Sequence, residues 1–273
     1  MKNFVRLTFL ALALLAAGSP AARALESSAQ NRWPSELEKG EYRAKVASTG
    51  QILWHVNWET TVKEDHGRTE VEINEQGAGQ PWRYKEPITW KKRMVFQPEP
   101  GMVVESLEGT RWTADGKVLS EVDMHRDASS GKVTYVDSDA GRKPVSGVFP
   151  SKPETLPDEL LFYWARTLPF DRSALGQPVT EGCTLVLSPT RQFHMDAKVR
   201  GTEVVTTPAG TFSCWRVDLS PRLAGPLKAL APKMALWCST DPPHYWVRYK
   251  GPVGGPGSPT AIIELVKFEQ QQQ

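Results

Sequence analysis

The histidines are the first residues whose chemistry could be acid–base catalysis or metal binding. The chain has five of them: His55, His66, His125, His194 and His244. No two lie within four residues of each other, so the sequence has no helical pair of metal ligands. His125 and His244 each have an aspartate nearby, Asp123 and Asp241. Such a pair in a cleft would favour a hydrolase. An exposed strand face is the simpler role, and we predict no catalytic residue and no metal site.

The loop at 251–259 is the second candidate, because glycine-rich loops can bind phosphate. It contains four glycines and three prolines. Proline has no N–H group to donate to an anion, and no Gly-Lys-Ser/Thr motif follows the loop. We therefore interpret it as a hairpin turn and expect no cofactor.

The three cysteines, Cys183, Cys214 and Cys238, are an odd number for an oxidising compartment. Cys214 and Cys238 each lie in a strand-like run, and their side chains would face each other if these runs paired in register. We predict a Cys214–Cys238 disulfide and a free Cys183. The bond would close a loop of about 25 residues and stabilise the fold by about 3 kcal/mol. The alternative is three buried, reduced thiols.

Ten tryptophans are the strongest compositional feature. Several lie in runs whose apolar residues alternate with polar ones, so they share one face of a predicted strand. Aromatic side chains on a curved sheet suit a lipid, an acyl chain or another apolar ligand. An ordinary core is the alternative, and sugar stacking is a third option that needs tryptophans exposed in a flat row. The predicted ligand-binding residues on strands are Trp54, Val56, Trp58 and Trp90.

The apolar segment 220–232 completes the predicted binding site. Leu223, Leu227 and Leu230 recur in it at spacings of four and three residues. A segment of this kind between two strands suits a lid over a cavity or a docking surface, and packing onto the sheet edge is the alternative. We add Leu223 and Leu227 to the ligand-binding residues.

Residues 1–24 have the three parts of a secretory signal peptide. Lys2 and Arg6 precede the apolar run 7–17, and Ala22-Arg23-Ala24 matches a small-x-small cleavage site. The apolar run is too short for a bilayer, which needs about 20 residues. We expect cleavage after Ala24 and a soluble, exported protein of the bacterial periplasm. An uncut N-terminal anchor is the alternative.

The chain without residues 1–24 is nearly neutral. It keeps 30 basic and 31 acidic residues. Nucleic-acid binding needs a basic stripe on one face, so this balance argues against a nucleic-acid partner. No second apolar stretch is long enough to span a membrane.

The rest of the chain predicts mostly β structure. Period-two alternation at 51–62 and 88–96 is typical of strands, and the segments 114–117 and 127–131 carry hairpin signals. We predict one antiparallel, strongly curved sheet, a half-barrel or open barrel, packed around one amphipathic helix. The predicted divisions are a signal peptide at 1–24, a lead-in segment at 25–44, a single β-rich domain at 45–269 and a disordered tail at 270–273.

The predicted helix lies between Thr155, a candidate N-cap, and Pro169, which ends it. Pro157 suits the first turn, and Asp158 and Glu159 suit the positive end of the helix dipole. The apolar residues at helical spacing are Leu160, Leu161, Trp164 and Leu168. One amphipathic helix among many strands usually packs across a sheet.

These motifs together resemble a known family. The run 160–169 is followed by Thr207-Pro208-Ala209-Gly210-Thr211-Phe212, by Asp241-Pro242-Pro243-His244 and by Val247-Arg248-Tyr249. In this order they resemble the bacterial periplasmic family known as domain of unknown function 3108, from residue 45 onward. The resemblance implies a curved antiparallel sheet around a helix, with a distant likeness to lipoprotein-carrier (LolA/LolB-like) half-barrels. It implies no agreed activity and therefore no catalytic residue.

The sequence thus predicts a non-enzymatic periplasmic binding protein. It would hold a hydrophobic ligand, such as a lipid or acyl chain, or an envelope partner, in the hollow of a half-barrel. The alternatives are a periplasmic hydrolase that uses a His/Asp pair, and a structural envelope protein whose strand edges engage other proteins without a small ligand.

Overall fold

The computed structural model describes residues 33, 37–65, 68–98, 101–223, 225, 231–253 and 257–271, and it describes residues 65 and 271 by their backbone alone. The predicted signal peptide and Leu227 lie outside the described residues. Within the described part, no helix is both long enough and apolar enough to cross a bilayer.

Fifteen strands make up most of the described chain. They are β1 (Leu37–Val46), β2 (Ile52–Asp65), β3 (Arg68–Gly79), β4 (Ile88–Gln97), β5 (Val103–Thr113), β6 (Val118–Asp127), β7 (Lys132–Asp139), β8 (Val145–Pro150), β9 (Thr155–Pro157), β10 (Thr180–Ser188), β11 (Arg191–Thr207), β12 (Gly210–Pro221), β13 (Met234–Ser239), β14 (Trp246–Pro252) and β15 (Thr260–Gln271). The described part of β1 starts at Leu37, inside the predicted lead-in segment, and β15 continues into the predicted tail.

The sheet closes on itself, so the prediction of a half-barrel or open barrel is wrong. Twelve strands form a ring in the order β4-β3-β2-β1-β15-β14-β13-β12-β11-β10-β9-β5, and β5 pairs with β4 to close it. The short strand β9 completes the ring through parallel pairing with β10 and with Val103 of β5. Sequence alternation shows which face of a strand is buried, but not whether the first and last strands of a sheet meet.

The remaining strands β6, β7 and β8 extend the sheet from β5 as an antiparallel arm. β8 is the end strand of the whole sheet order. Val145 and Val148 of β8 are exposed. Only Thr184, Leu185 and Val186 of β10 pair with β9, so within the described sheet both the start of β10 and the arm strand β8 lie at an edge.

The predicted single amphipathic helix is also wrong. The segment contains two short helices, α1 (Leu161–Trp164) and α2 (Phe170–Ala174), and two 3₁₀ turns, Asp158–Leu160 and Ala165–Thr167. The predicted N-cap Thr155 belongs to β9 instead. A helix that is apolar on every side is a buried helix. In this segment α1 and the turn after it are mostly buried, whereas Asp158 and most of α2 are exposed. The buried residues of the segment are Leu160, Leu161, Tyr163, Trp164, Ala165, Arg166, Leu168 and Phe170.

Residues 158–170, which we call the plug, lie inside the ring. Phe162 contacts the rings of Trp246 and Tyr249 on β14, with centroids 4.9 and 4.8 Å away. Phe170 stacks on Trp215 of β12 at 5.7 Å. The plug also contacts β1, β3 and β4. One segment can touch strands all around a closed ring only from its interior, so the plug fills the space that a ligand would need.

A buried ion pair fixes the plug to the barrel wall. The Arg166 guanidinium donates two hydrogen bonds to the carboxylate of Glu38 on β1, at 2.9 and 3.1 Å. Its Nε donates to the carbonyl oxygen of Pro243 at 3.0 Å, and its guanidinium lies 4.7 Å from the ring of Trp33. Arg166 is 1% exposed and Glu38 is fully buried. Two charges removed from water to this extent are tolerated only with such complete pairing.

The predicted Cys214–Cys238 disulfide is absent. All three cysteines are described, buried and free. The register pairs Cys214 with Ser239 and Trp215 with Cys238. Residues that pair directly share a face, so this offset of one residue places Cys214 and Cys238 on opposite faces of the sheet. Cys238 belongs to the main core, and Cys214 belongs to a smaller cluster with Val205, Trp237 and Val247.

We expect removal of one partner of the buried ion pair to destabilise the protein strongly. Arg166→Met leaves the Glu38 carboxylate buried and uncompensated, which typically costs about 3–5 kcal/mol. Urea unfolding followed by tryptophan fluorescence would measure this loss. The double variant Arg166→Met/Glu38→Leu should recover most of it, and a single variant within about 1 kcal/mol of the wild type would contradict the assignment.

We also expect all three thiols to be inert in the native protein. Burial raises the pKa of Cys214 to about 12 and raises the pKa values of Cys183 and Cys238 further. Mass spectrometry after iodoacetamide treatment should show no modification of the folded protein and three modifications in guanidinium chloride. If the denatured protein takes up one alkyl group, and takes up three only after reduction, the protein contains a disulfide.

Candidate functional site

A groove of about 780 Å³ lies across six neighbouring strands, β15, β1, β2, β3, β4 and β5. We call it the outer groove. Most of its side chains alternate with buried positions: on β2, for example, Asn57 and Glu59 are exposed whereas Val56, Trp58 and Thr60 are buried. The groove is therefore on the outer face of the barrel, opposite the plug. The lining residues are Lys39, Gly40, Asn57, Trp58, Glu59, Asn74, Glu75, Gln76, Lys91, Lys92, Arg93, Glu108, Gly109, Thr110, Trp112, Lys267 and Glu269.

Strand register arranges the outward side chains of the groove in two cross-strand rows. In one row, Asn57 pairs with Gln76, Gln76 with Lys91, and Lys91 with Thr110. In the other, direct pairing joins Glu269, Lys39, Glu59, Asn74, Arg93 and Glu108 in that order. Directly paired residues share a face with side chains about 5 Å apart, so each row is a continuous polar strip.

Most charges in the second row are neutralised by neighbours. Lys39 and Lys267 both lie against Glu269, at 3.2 and 2.5 Å. Arg93 contacts Glu108 at 3.8 Å and Glu72, next to the groove, at 3.1 Å. The hydrogen bond from Arg93 is the main cause that lowers the pKa of Glu72 to about 2. The groove therefore presents polar surface without a strong excess of either charge.

Two amide side chains at the centre of the groove are available to a ligand. Within the described part of the chain, the side chains of Asn57 and Gln76 make no hydrogen bond, and both residues are exposed. The Asn74 amide nitrogen donates to Glu72 at 3.0 Å, so the side-chain carbonyl oxygen of Asn74 can still accept a hydrogen bond from a ligand. An amide offers both donors and an acceptor, so these residues can bind a group that does the same.

Trp112 supplies the half-buried aromatic surface of the groove. It lies on β5, where the register with β6 shifts between Arg111 and Trp112. A bulge of this kind redirects a side chain and is common beside binding sites.

Two residues of the groove, Glu75 and Lys92, also contact the plug. The Tyr163 hydroxyl donates to Glu75 at 3.3 Å, and the Lys92 ammonium lies 3.2 Å from Glu159. Burial is the main cause that raises the pKa of Glu75. Burial also disfavours the charge of Glu159, but Lys92 and a hydrogen bond with Asp158 outweigh it and lower its pKa to about 2. The wall beneath the groove is thus held to the plug by polar contacts.

The sequence-predicted ligand residues lie mostly outside the outer groove. Val56 and Trp90 are buried in the core, and Trp54 meets Trp90 edge-on at 6.1 Å. Trp58 borders the groove, but its side chain is buried in the core, where it stacks on Tyr42. Leu223 is exposed. Ligand contact by this set stays a prediction. The amides and charges of the groove have ordinary alternating positions, and no sequence signal marks the outer face there as concave.

The histidines that the structure describes do not meet in a cleft. His125 Nε2 lies 2.8 Å from Asp123 Oδ1, but both side chains are more than half exposed on β6, outside the groove. His244 is buried, with Nδ1 2.9 Å from the carbonyl oxygen of Ser239. In the described ranges, no group of three His, Cys, Asp or Glu side chains could hold a metal ion. In the described part of the chain, the His/Asp pair of the hydrolase alternative is therefore solvent-exposed and lies outside the outer groove.

Carboxylate titration should make part of the fold stability acid-sensitive. The pKa of Glu159 lies below its ordinary value of 4.5 in the folded protein, so its contribution is complete above that value and is lost as pH falls toward 2. We expect Glu159→Gln to be less stable at pH 7 and to lose less stability between about pH 5 and pH 2. Urea midpoints across this range would measure both effects. Glu121→Gln, an exposed position on β6, is the control and should keep the wild-type slope.

Comparison with known proteins gives a family and a fold. The family model of DUF3108, proteins of unknown function, matches residues 113–262. All residues that line the outer groove lie outside this matched segment. None of the curated proteins matches the chain.

Solved structures match the chain at low identity. A β-barrel-like protein of domain of unknown function DUF1849 from Brucella abortus is 11% identical, with a TM-score of 0.50, over 87% of this chain and 98% of that one. A protein from Bacteroides fragilis described as exported, with a YmcC-like fold, is 13% identical with a TM-score of 0.35, over 85% and 95% of the two chains. A protein from Parabacteroides distasonis described as a lipoprotein is 12% identical with a TM-score of 0.36, over 87% and 98%. The Brucella structure supports a shared fold, and none of the three shows the expected likeness to lipoprotein carriers.

Proposed function

We propose, from the premise that this chain belongs to the DUF3108 family of proteins of unknown function, that it is an exported binding protein whose ligand site is the outer groove. The family supplies no activity to transfer, so the proposal rests on the chain itself. The sequence supports export through the signal-peptide pattern of residues 1–24 and its cleavage site after Ala24. The proposed compartment is the periplasm.

The observation that carries the proposal is the division of the barrel into a filled interior and an open outer groove. The plug occupies the interior with aromatic contacts to β12 and β14 and with the Arg166–Glu38 ion pair. A lipid or acyl chain in the hollow would have to displace this core. The groove of about 780 Å³ is within the size range of small-molecule sites, about 300–1,000 Å³. A ligand can occupy it without moving the core.

Native mass spectrometry tests this function most directly. The protein, purified from the periplasm with its own N-terminal segment as export signal, should carry a bound molecule. The variant Gln76→Trp places a large side chain in the centre of the groove and should lose that molecule. Thr134→Trp on the exposed face of β7 is the matched control and should retain it, because exposed substitutions away from special sites change stability by less than about 0.5 kcal/mol.

Two outcomes would contradict the proposal. A wild-type protein that carries no ligand, or a ligand retained by Gln76→Trp, would exclude the outer groove as the binding site. Circular dichroism of both tryptophan variants would confirm that the fold is intact, so loss of ligand cannot be confused with unfolding.

A second candidate function is a structural envelope protein, and the arm supports it. β8 ends the sheet, and its exposed Val145 and Val148 lie beside unpaired backbone groups of an edge strand. Such an edge can accept a strand from another protein. In the same purification, a co-purifying protein that is lost in Val148→Lys but retained in Gln76→Trp would favour this function over ligand binding.

A further inference from the structure

We infer that the outer groove binds a neutral carbohydrate, an oligosaccharide that lies across the strands. This inference rests on the proposed function, because it names the ligand class for the same site. It follows from which polar, charged and apolar groups of a ligand the lining residues can and cannot pair with.

An apolar ligand does not fit the groove. Typical sites for apolar ligands are lined mainly by hydrophobic side chains. Trp58 and Trp112 are the tryptophans of this lining, but the Trp58 side chain is 4% exposed and packs in the core, so Trp112 supplies the apolar surface. A lipid in the groove would cover the amides of Asn57 and Gln76 without offering a hydrogen bond. Each buried polar group left unpaired costs about 1–3 kcal/mol.

A strongly charged ligand does not fit either. The lining contains five basic residues, Lys39, Lys91, Lys92, Arg93 and Lys267, and four acidic ones, Glu59, Glu75, Glu108 and Glu269. Four of the five cations lie against carboxylates of this set or of adjacent residues, at 2.5–3.8 Å. An anion would have to compete with these carboxylates, and a cation would have to compete with the lysines and Arg93. Lys91 and Glu59 are groove charges that make no ion pair within the described residues, and they have opposite signs, so neither kind of ligand would find a strong net charge.

Neutral hydroxyl groups match the hydrogen-bonding side chains of the groove. A hydroxyl donates one hydrogen bond and accepts others, and a side-chain amide also does both. Asn57 and Gln76 pair directly across β2 and β3, and Gln76 continues to Lys91 and Thr110 across β4 and β5. This row offers donors and acceptors in sequence, at strand intervals of about 4.8 Å. A chain of hydroxyl-bearing rings presents partners along its length in the same manner.

Shape and the position of Trp112 support an oligosaccharide over a single sugar. Six strands give the groove a width of about 24 Å between its outermost strands. Trp112 lies near one end, on β5, and Lys267 lies at the other, on β15. An indole has an apolar face and one polar N–H group, so it can cover the C–H face of a terminal sugar ring while the amides bind hydroxyl groups along the rest of the chain.

A glycan array with neutral and acidic oligosaccharides from bacterial envelopes would test the ligand class, with isothermal titration of the best binder. We expect neutral members to bind and their affinity to change less than about twofold between 0.05 and 0.5 M NaCl, because a neutral ligand is not screened by salt. Asn57→Ala should weaken binding by about three- to tenfold, the cost of one hydrogen bond. Trp112→Ala should weaken it by at least a similar factor, Gln76→Trp should abolish it, and Thr134→Trp should leave it unchanged.

The outcomes separate this inference from the proposed function. If the molecule lost in Gln76→Trp is anionic or apolar, or if only acidic glycans bind, the carbohydrate inference is overturned and the groove remains the binding site. If neutral glycans bind equally well to Gln76→Trp, the groove is not their site and the inference is overturned. If no array member binds and native mass spectrometry finds no ligand that depends on Gln76, both the inference and the proposed function fail.

Discussion

The ion pair between Arg166 and Glu38 is the contact on which the rest of the structure depends. It joins the plug to β1, the strand that lies between β2 and the C-terminal strand β15. Inside a barrel, charges are tolerated when their hydrogen bonds are complete, and here the guanidinium has two carboxylate oxygens, a carbonyl oxygen and an aromatic face as partners. This geometry fixes the depth and rotation of the plug, which in turn determines which inner side chains of the wall it contacts.

Because the plug fills the interior, the proposed ligand site lies on the outside of the wall. Small barrels are commonly packed with side chains, whereas larger ones enclose ligands. A ring of twelve strands would leave a cavity if the plug did not occupy it. The wall beneath the outer groove is supported by that packing, since Glu75 and Lys92 reach Tyr163 and Glu159 of the plug. Rigid support of this kind suits a site whose hydrogen-bonding groups must hold fixed positions.

Local sequence patterns predicted local structure well and three-dimensional closure poorly. Alternation on β2 correctly placed Val56 and Trp58 on the buried face. The alternation does not hold at the start of β2, where Ile52 is exposed, because the register between β1 and β2 shifts between Ala44 and Lys45. A one-residue offset likewise separated Cys214 from Cys238. Such shifts leave no signature in a single sequence. The sequence also does not indicate that Arg166 is buried, because its partner Glu38 is 128 positions away. The family resemblance was confirmed, and the outer groove could not be foreseen because its polar residues look like any solvated strand face.

The pairing of β1 with β15 joins the two ends of the described chain along ten residue pairs. Pairings between distant parts of a sequence form slowly, because the loop entropy is lost before the contact is gained. β1 therefore lacks one of its two neighbours until the last strand of the chain is present. The connectivity of the barrel thus delays closure of the ring until residues 260–271 are present, whatever the order in which the other strands form.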